Sequence, residues 1–90
     1  MFLGQRIRQD EKIHIGQNIR RIRKEKNISQ KAMAEKMQLY KIPITRETYV
    51  KLERGIRNVG ASELKVIKEI LDTTYEELLE ETQEQNKEEQ

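Results

Sequence analysis

The chain has 90 residues, 34% apolar and 38% charged, so it is at most one small domain with a limited core. It has no cysteine, which excludes disulfides and thiolate zinc sites, and its apolar runs are too short to span a membrane. The charged start, "MFLGQRIRQDEK", is unlike a signal peptide, so we expect a soluble, cytoplasmic protein.

The formal net charge of +2 is unevenly distributed along the chain. Residues 1–60 carry 15 Lys/Arg and 6 Asp/Glu, a net charge of +9, whereas residues 61–90 carry 3 and 10, a net charge of −7. A basic part of this kind indicates a polyanionic partner. The alternative is a solvated surface that happens to be uneven.

The N-terminal region contains a partial repeat at a shift of twelve residues. "LGQRIRQDEK" (3–12) and "IGQNIRRIRK" (15–24) share Gly, Gln, Ile, Arg and Lys in place. Either copy could begin the first helix, and we favour the second because its apolar positions continue into the next segment. Residues 1–14 are then an arm or an extra short helix. His14, the chain's only histidine, lies there and is given no metal or acid–base role.

Apolar spacing predicts two helices after this arm. The first runs from Ile15 to about Lys26–Asn27, where Asn suits a left-handed terminal residue. Ser29 is a good N-cap for the second helix, which must end before Pro43. The predicted inward positions are Ile15, Ile19 and Ile22 in the first helix and Met33, Ala34 and Met37 in the second.

A third helix is predicted from a Thr45 cap to Arg54, with Gly55 as its left-handed stop. At 100° per residue, one face collects four residues that should point to the core: Thr45, Thr48, Tyr49 and Leu52. The opposite face collects Arg46, Glu47, Val50, Lys51 and Arg54. Arginine can bind guanine, glutamate can accept from cytosine, and valine can contact a thymine methyl, so this face could read base edges. It could equally be the ordinary solvent side of an amphipathic helix.

Two further helices complete the predicted domain. One begins at Gly60 or Ala61 and is followed by "TTYEELLE", where Thr74 and Glu77 have the spacing of a capping box. Residues 80–90 are predicted to be an acidic C-terminal tail. Five short helices within residues 15–79, and no strand signal of comparable strength, give an all-α class.

From Ile15 to Leu79 the chain resembles the Cro/phage-repressor-type helix-turn-helix family, also called xenobiotic-response-element-like regulators. The resemblance is carried by "IGQNIRRIRKEKNISQKAMAEKM", "ITRETYVKLERGIRN" and "LKVIKEILDTTYEELL". It implies a compact five-helix, lambda-repressor-like DNA-binding domain at residues 15–79, with the third helix in the major groove of double-stranded DNA.

The resemblance also implies roles for individual residues. Arg23 and Glu53 match a structural ion pair that ties the first helix to the third. The implied base contacts are Arg46, Glu47 and Lys51, to which the outward face of the third helix adds Val50. The implied phosphate contacts are Arg54, Arg57 and Asn58, together with Gln30, which either touches phosphate or helps to orient the third helix. We add Lys41 and Thr45, which precede the third helix, as further predicted phosphate contacts.

The connection between the second and third helices departs from the family pattern. "QLYKIP" (38–43) replaces a tight glycine turn and is about five residues longer. This loop either adds a phosphate contact through Tyr40 or Lys41, or only packs Leu39 and Ile42 onto the edge of the domain.

The sequence therefore predicts a sequence-specific DNA-binding regulator, a repressor that acts as a homodimer. No Gly-rich phosphate loop, Ser/His/Asp set or metal-ligand cluster is present, so no enzyme activity, cofactor or metal is predicted. The alternative is a protein-interaction module, such as the antitoxin or adaptor of a two-protein system, with a protein partner held by the N-terminal arm or the C-terminal tail.

Overall fold

A computed structural model describes residues 13–81, and the backbone of residues 6–7. The elements are β1 (Arg6–Ile7), α1 (Ile15–Glu25), α2 (Gln30–Leu39), α3 (Arg46–Glu53), β2 (Val59–Gly60), α4 (Ala61–Leu71) and α5 (Tyr75–Leu78). The five predicted helices are confirmed. Within the described residues, no helix is long and apolar enough to cross a membrane.

The short pairing of β1 with β2 was not predicted. The two strands are antiparallel, with Arg6 opposite Gly60 and Ile7 opposite Val59. Two-residue strands leave no alternation long enough to detect in a sequence. Residues 6–7 of the predicted arm are therefore extended, while 1–5 and 8–12 lie outside the described residues, as do residues 82–90 of the predicted acidic tail.

One core is shared by all five helices. α3 packs against α1 and α2, α4 packs against α2 and α1, and α5 packs against α1. All six inward positions predicted for α1 and α2 are buried. The buried apolar residues are Ile15, Ile19, Ile22, Met33, Ala34, Met37, Ile44, Tyr49, Leu52, Val59, Leu64, Ile67, Leu71 and Leu78.

The burial of residues in α1 explains which copy of the partial repeat forms this helix. In the second copy Ile22 is 2% exposed and Arg23 is 7% exposed. The first copy has Asp10 and Glu11 at the equivalent places. An aspartate in the core and a glutamate facing Glu53 would each be costly, so only the second copy can form this helix.

α1 and α3 approach closely at Gly16. A Cβ atom on Gly16 would lie 2.4 Å from the carbonyl oxygens of both Leu52 and Glu53. No side chain fits there without separating the two helices, so glycine at this position sets how α3 sits on α1. Two residues further along α1, Asn18 is buried and its Nδ2 donates to the carbonyls of Leu78 and Glu80 at 2.8 and 2.9 Å, which holds α5 against α1.

The first four helices end in the same way. In each, a residue with positive φ follows the last turn, and two backbone amides return to the last carbonyls, which is the Schellman arrangement. The positive-φ residues are Asn27, Lys41, Gly55 and Asp72. The predicted stops at Asn27 and Gly55 are confirmed. Lys41 is the unexpected member, since lysine has no intrinsic preference for a left-handed backbone.

The connection between α2 and α3 is six residues, 40–45, because α2 continues through Leu39. Pro43 is the central residue of a tight turn, in which Ile44 N–H donates to the Ile42 carbonyl at 2.8 Å. Gln38 Nε2 donates to the Ile44 carbonyl at 2.8 Å and ties the connection back to α2. The connection is therefore held by defined contacts.

Packing of Leu39 and Ile42, one of the two roles considered for this loop, is found for Ile42 but not for Leu39. Ile42 packs against the core, whereas Leu39 is 82% exposed, and the fully buried residue of the connection is Ile44. Leu39 lies on the side of α2 opposite Met33 and Met37, so the helix rotates it into solvent. Thr45 was expected in the core but is exposed, because its side chain is used as the N-cap of α3.

Candidate nucleic-acid interface

The start of α3 is fixed by its cap. Thr45 Oγ1 accepts from the Thr48 backbone N–H at 3.1 Å and donates to the Thr48 hydroxyl at 2.9 Å. From this start the helix turns Tyr49, Leu52 and Glu53 into the interior. Its opposite face is therefore presented to solvent over its whole length of eight residues.

This outward face carries the side chains expected from the sequence. Arg46, Glu47, Lys51 and Arg54 are exposed, and Val50 is half-buried among them. These five residues line one shallow depression. The structure therefore brings together all four predicted base-contacting residues, and they share a surface with Arg54.

A second depression lies beside the first and joins α3 to the other two helices. It is lined by Gln17 and Arg20 of α1, Gln30 of α2, and Val50, Glu53 and Arg54 of α3. Val50 and Arg54 line both depressions, so the surface is continuous. Gln17 and Arg20 were not predicted as site residues. The apolar periodicity of α1 predicts that both residues are exposed. Their proximity to α3 could not be predicted, because they lie far from α3 along the chain.

The floor of this surface is a buried polar network centred on the Glu53 carboxylate. Arg23 Nε donates to Oε2 at 2.6 Å and Arg23 Nη2 donates to Oε1 at 3.1 Å. Tyr49 donates its hydroxyl to Oε2 at 2.5 Å, and Gln30 Nε2 donates to Oε1 at 3.0 Å. The ion pair implied by the resemblance is thus present, and it ties α1, α2 and α3 to one carboxylate.

The network also perturbs two ionisable groups. The hydrogen bonds to Glu53 raise the pKa of Arg23, which fixes its positive charge. Burial, together with the negative charge of Glu53, raises the pKa of Tyr49 far above its ordinary value, so its hydroxyl remains a donor. Arg23 Nη1 additionally donates to the Ile28 carbonyl at 2.8 Å. Every side chain in the network is therefore held in one orientation.

The predicted phosphate-contacting residues are distributed around this face. Gln30 is half-buried at the first position of α2, and its amide is oriented by Glu53. Thr45 and Lys41 are exposed in the connection before α3, and Asn58 is exposed in the loop after it. Arg57 is different, because both of its Nη atoms donate to the Glu63 carboxylate, at 3.2 and 3.0 Å.

The described residues offer no group of three or more His, Asp or Glu side chains arranged to hold a metal ion. The outward face of α3 instead presents three exposed cations, the exposed carboxylate of Glu47 and the half-buried side chain of Val50. The hydrogen bonds to the buried Glu53 carboxylate fix the orientation of this helix.

A family model described as helix-turn-helix matches residues 19–78, which is two-thirds of the chain. This match covers all of α2, α3, α4 and α5 and most of α1. No curated protein and no solved structure matches the chain significantly.

Proposed function

Because the chain belongs to the Cro/phage-repressor-type helix-turn-helix family, whose domain is a DNA-binding regulatory domain, we propose that it is a sequence-specific repressor of transcription. It acts in the cytoplasm as a homodimer on double-stranded DNA, with α3 in the major groove. The observation that carries the proposal is the outward face of α3, where Arg46, Glu47 and Lys51 are exposed around Val50 on a helix fixed by the Glu53 network.

The base contacts follow from the chemistry of this face. Arg46 donates in bidentate fashion to O6 and N7 of a guanine, and Glu47 accepts from N4 of a cytosine. Lys51 donates to a guanine or a neighbouring acceptor, and Val50 contacts a thymine methyl. Arg46 and Glu47 begin α3, which is the end of a recognition helix that reaches base edges in this class of domain.

Phosphate contacts come from the margins of the same face. Gln30 lies at the N-terminus of α2, where backbone amides and the helix dipole favour an anion. Arg20 and Arg54 line the depression beside it, so a phosphate seated there meets two cations. Thr45 and Lys41 contact the backbone on one side of the groove and Asn58 on the other. These contacts position the domain and carry no sequence information.

A homodimer places two copies of α3 in successive major grooves on one side of the duplex. The half-sites are then related by two-fold symmetry and lie about one helical turn, roughly 34 Å, apart. A repressor of this kind acts by covering its site.

The proposal is tested by measuring binding of a selected duplex to the wild-type chain and to Arg46→Ala. Truncation should cost ~1–3 kcal/mol at one base pair of each half-site and relax the preference there. Lys65→Ala is the matched control, because Lys65 is exposed on α4, outside both depressions. If all three proteins discriminated equally between base pairs at that position, the proposed role of α3 would be refuted.

A second candidate function is a protein-interaction module, such as an antitoxin or adaptor. It is favoured by two adjacent apolar side chains in solvent at the end of α2, Leu39 and Tyr40, which are 82% and 48% exposed. A pull-down in high salt separates the two functions, because phosphate contacts weaken steeply with salt whereas apolar contacts do not.

A further inference from the structure

Arg57 lies in the loop that follows α3, three residues beyond Arg54. Both of its Nη atoms donate to Glu63, with Nη1 3.2 Å from Oε1 and Nη2 3.0 Å from Oε2. The two side chains are only 22% and 16% exposed. This bidentate pair is more enclosed than the surface pair of Arg21 with Glu25, whose side chains are 47% and 61% exposed.

Glu63 offers Arg57 the same chemistry that a phosphate would offer. Carboxylate and phosphate each present two oxygens to the fork of a guanidinium, and both bind it in bidentate fashion. A phosphate that approached Arg57 in this arrangement would find one N–H of each Nη already donating to Glu63, and it would meet the negative charge of Glu63 beside the remaining N–H groups. The pair therefore adds no net charge to the DNA-facing side of the loop.

We propose that Glu63 occupies the position of a DNA phosphate on Arg57 and thereby withholds one phosphate contact from the complex. This inference rests on the proposed function, and it makes Glu63 an affinity-limiting residue outside the recognition helix. Arg57 then does not contribute to the salt dependence of binding in the wild-type chain, although its position in the loop after α3 suits a backbone contact.

The role can be separated from the part that Glu63 plays in folding. Glu63 Oε1 also accepts from the Gly60 backbone N–H at 2.8 Å, at the start of α4. A glutamine keeps an oxygen for this bond but loses the charge that holds Arg57. Glu63→Gln therefore changes the competition for Arg57 while retaining an acceptor at the helix start.

The experiment measures the affinity of a selected duplex between 50 and 200 mM salt. The variants are Glu63→Gln, the control Glu69→Gln, and the double variant Arg57→Gln/Glu63→Gln. Glu69 is exposed on the same helix, so its replacement makes the same change in net charge. The double variant has the net charge of the wild type. Far-ultraviolet circular dichroism of each variant establishes that it is folded.

Release of Arg57 to a phosphate should steepen the slope of log affinity against log salt by about 0.9 in Glu63→Gln relative to Glu69→Gln. Over the fourfold salt range this is a relative change in affinity of about 3.5-fold. The double variant should have the wild-type slope, because the pair that it removes makes no phosphate contact.

Two results would overturn the inference while leaving the proposed function intact. One is an equal slope for Glu63→Gln and Glu69→Gln. The other is a double-variant slope shallower than wild type by about 0.9, which would mean that Arg57 already contacts a phosphate. If the variants that carry Glu63→Gln do not fold, Arg57→Gln, which keeps Glu63 and its bond to Gly60, supplies this second test, because its slope should equal that of the wild type. Failure of the wild-type chain to bind any duplex would instead overturn the proposed function, and the inference with it.

Discussion

Replacing Glu53 by glutamine should destabilise the domain far more than its small change in shape implies. Each carboxylate oxygen accepts two hydrogen bonds, from Arg23 Nε and Tyr49 at Oε2 and from Arg23 Nη2 and Gln30 at Oε1. A carboxamide has one oxygen and one NH₂ group. Tyr49 and Gln30 can reorient to accept, but a guanidinium cannot, so in either orientation the new NH₂ faces an Arg23 N–H.

The magnitude follows from the burial of the pair. The side chains of Arg23 and Glu53 are 9% and 1% exposed, so water cannot replace the lost partner. Breaking a buried pair from one side costs about 3–5 kcal/mol. For a domain of this size that corresponds to a fall in Tm on the order of 20 °C.

Urea and thermal unfolding followed by circular dichroism at 222 nm measure this cost. Glu47→Gln is the control, because Glu47 is exposed on the same helix; its unfolding free energy should stay within about 0.5 kcal/mol of wild type. The triple variant Arg23→Met/Tyr49→Phe/Glu53→Leu should recover most of the loss, because an apolar set avoids the desolvation penalty and leaves no Tyr49 hydroxyl buried without a partner. If the unfolding free energy of Glu53→Gln lay within about 1 kcal/mol of the wild-type value, the network would not be holding α3 as we describe.

Three other substitutions test separate features of the fold. Gly16→Ala should lower the unfolding free energy by about 2–3 kcal/mol, because its Cβ would overlap two carbonyls of α3; Gln17→Ala, one residue away and exposed, should have little effect in the same urea titration. Lys41→Gly should raise the unfolding free energy by about 0.5–1 kcal/mol, since lysine at φ 67° is strained and glycine is not; a loss of stability would contradict this. Tyr49 ionises at about pH 10 when unfolded but has a raised pKa when folded, so its contribution to stability is complete below pH 10 and falls by about 1.4 kcal/mol per pH unit above it. Urea titrations from pH 9 to 11 should therefore show a shallower decline for Tyr49→Phe than for wild type, and equal declines would refute the assignment.

The helices could be predicted because local signals agreed with the packing. Ser29 and Thr45 cap their helices through backbone amides three residues on, as polar residues before an apolar period predict. Asn27 and Gly55 end their helices in the left-handed region. Each of these signals lies within a few residues of the structure that it specifies.

Features that depend on distant residues could not be predicted in this way. Gly16 is required by carbonyls of α3, and Asn18 is required by the end of α5. The engagement of Arg57 by Glu63 depends on how the loop after α3 folds back on α4. Thr45 was placed in the core because a helical wheel cannot distinguish a cap residue, whose backbone is extended, from a residue of the helix itself.

The candidate site was predictable in composition but not in extent. The outward residues of α3 follow from the position of Leu52, because one buried residue fixes the phase of a helix. The depression beside α3 requires α1 and α2 as well, and its residues Gln17 and Arg20 are about thirty residues away in sequence. That the outward residues of α3 contact DNA stays a prediction.

Selection of bound duplexes from a random pool, with the wild-type chain and Arg46→Ala in parallel at two salt concentrations, tests the central claim most directly. We expect the wild type to enrich one two-fold symmetric sequence at both concentrations, and Arg46→Ala to enrich the same sequence with one base pair of each half-site no longer specified. Enrichment of no sequence by the wild type, or of an identical sequence by both proteins, would contradict the claim that the outward face of α3 reads DNA.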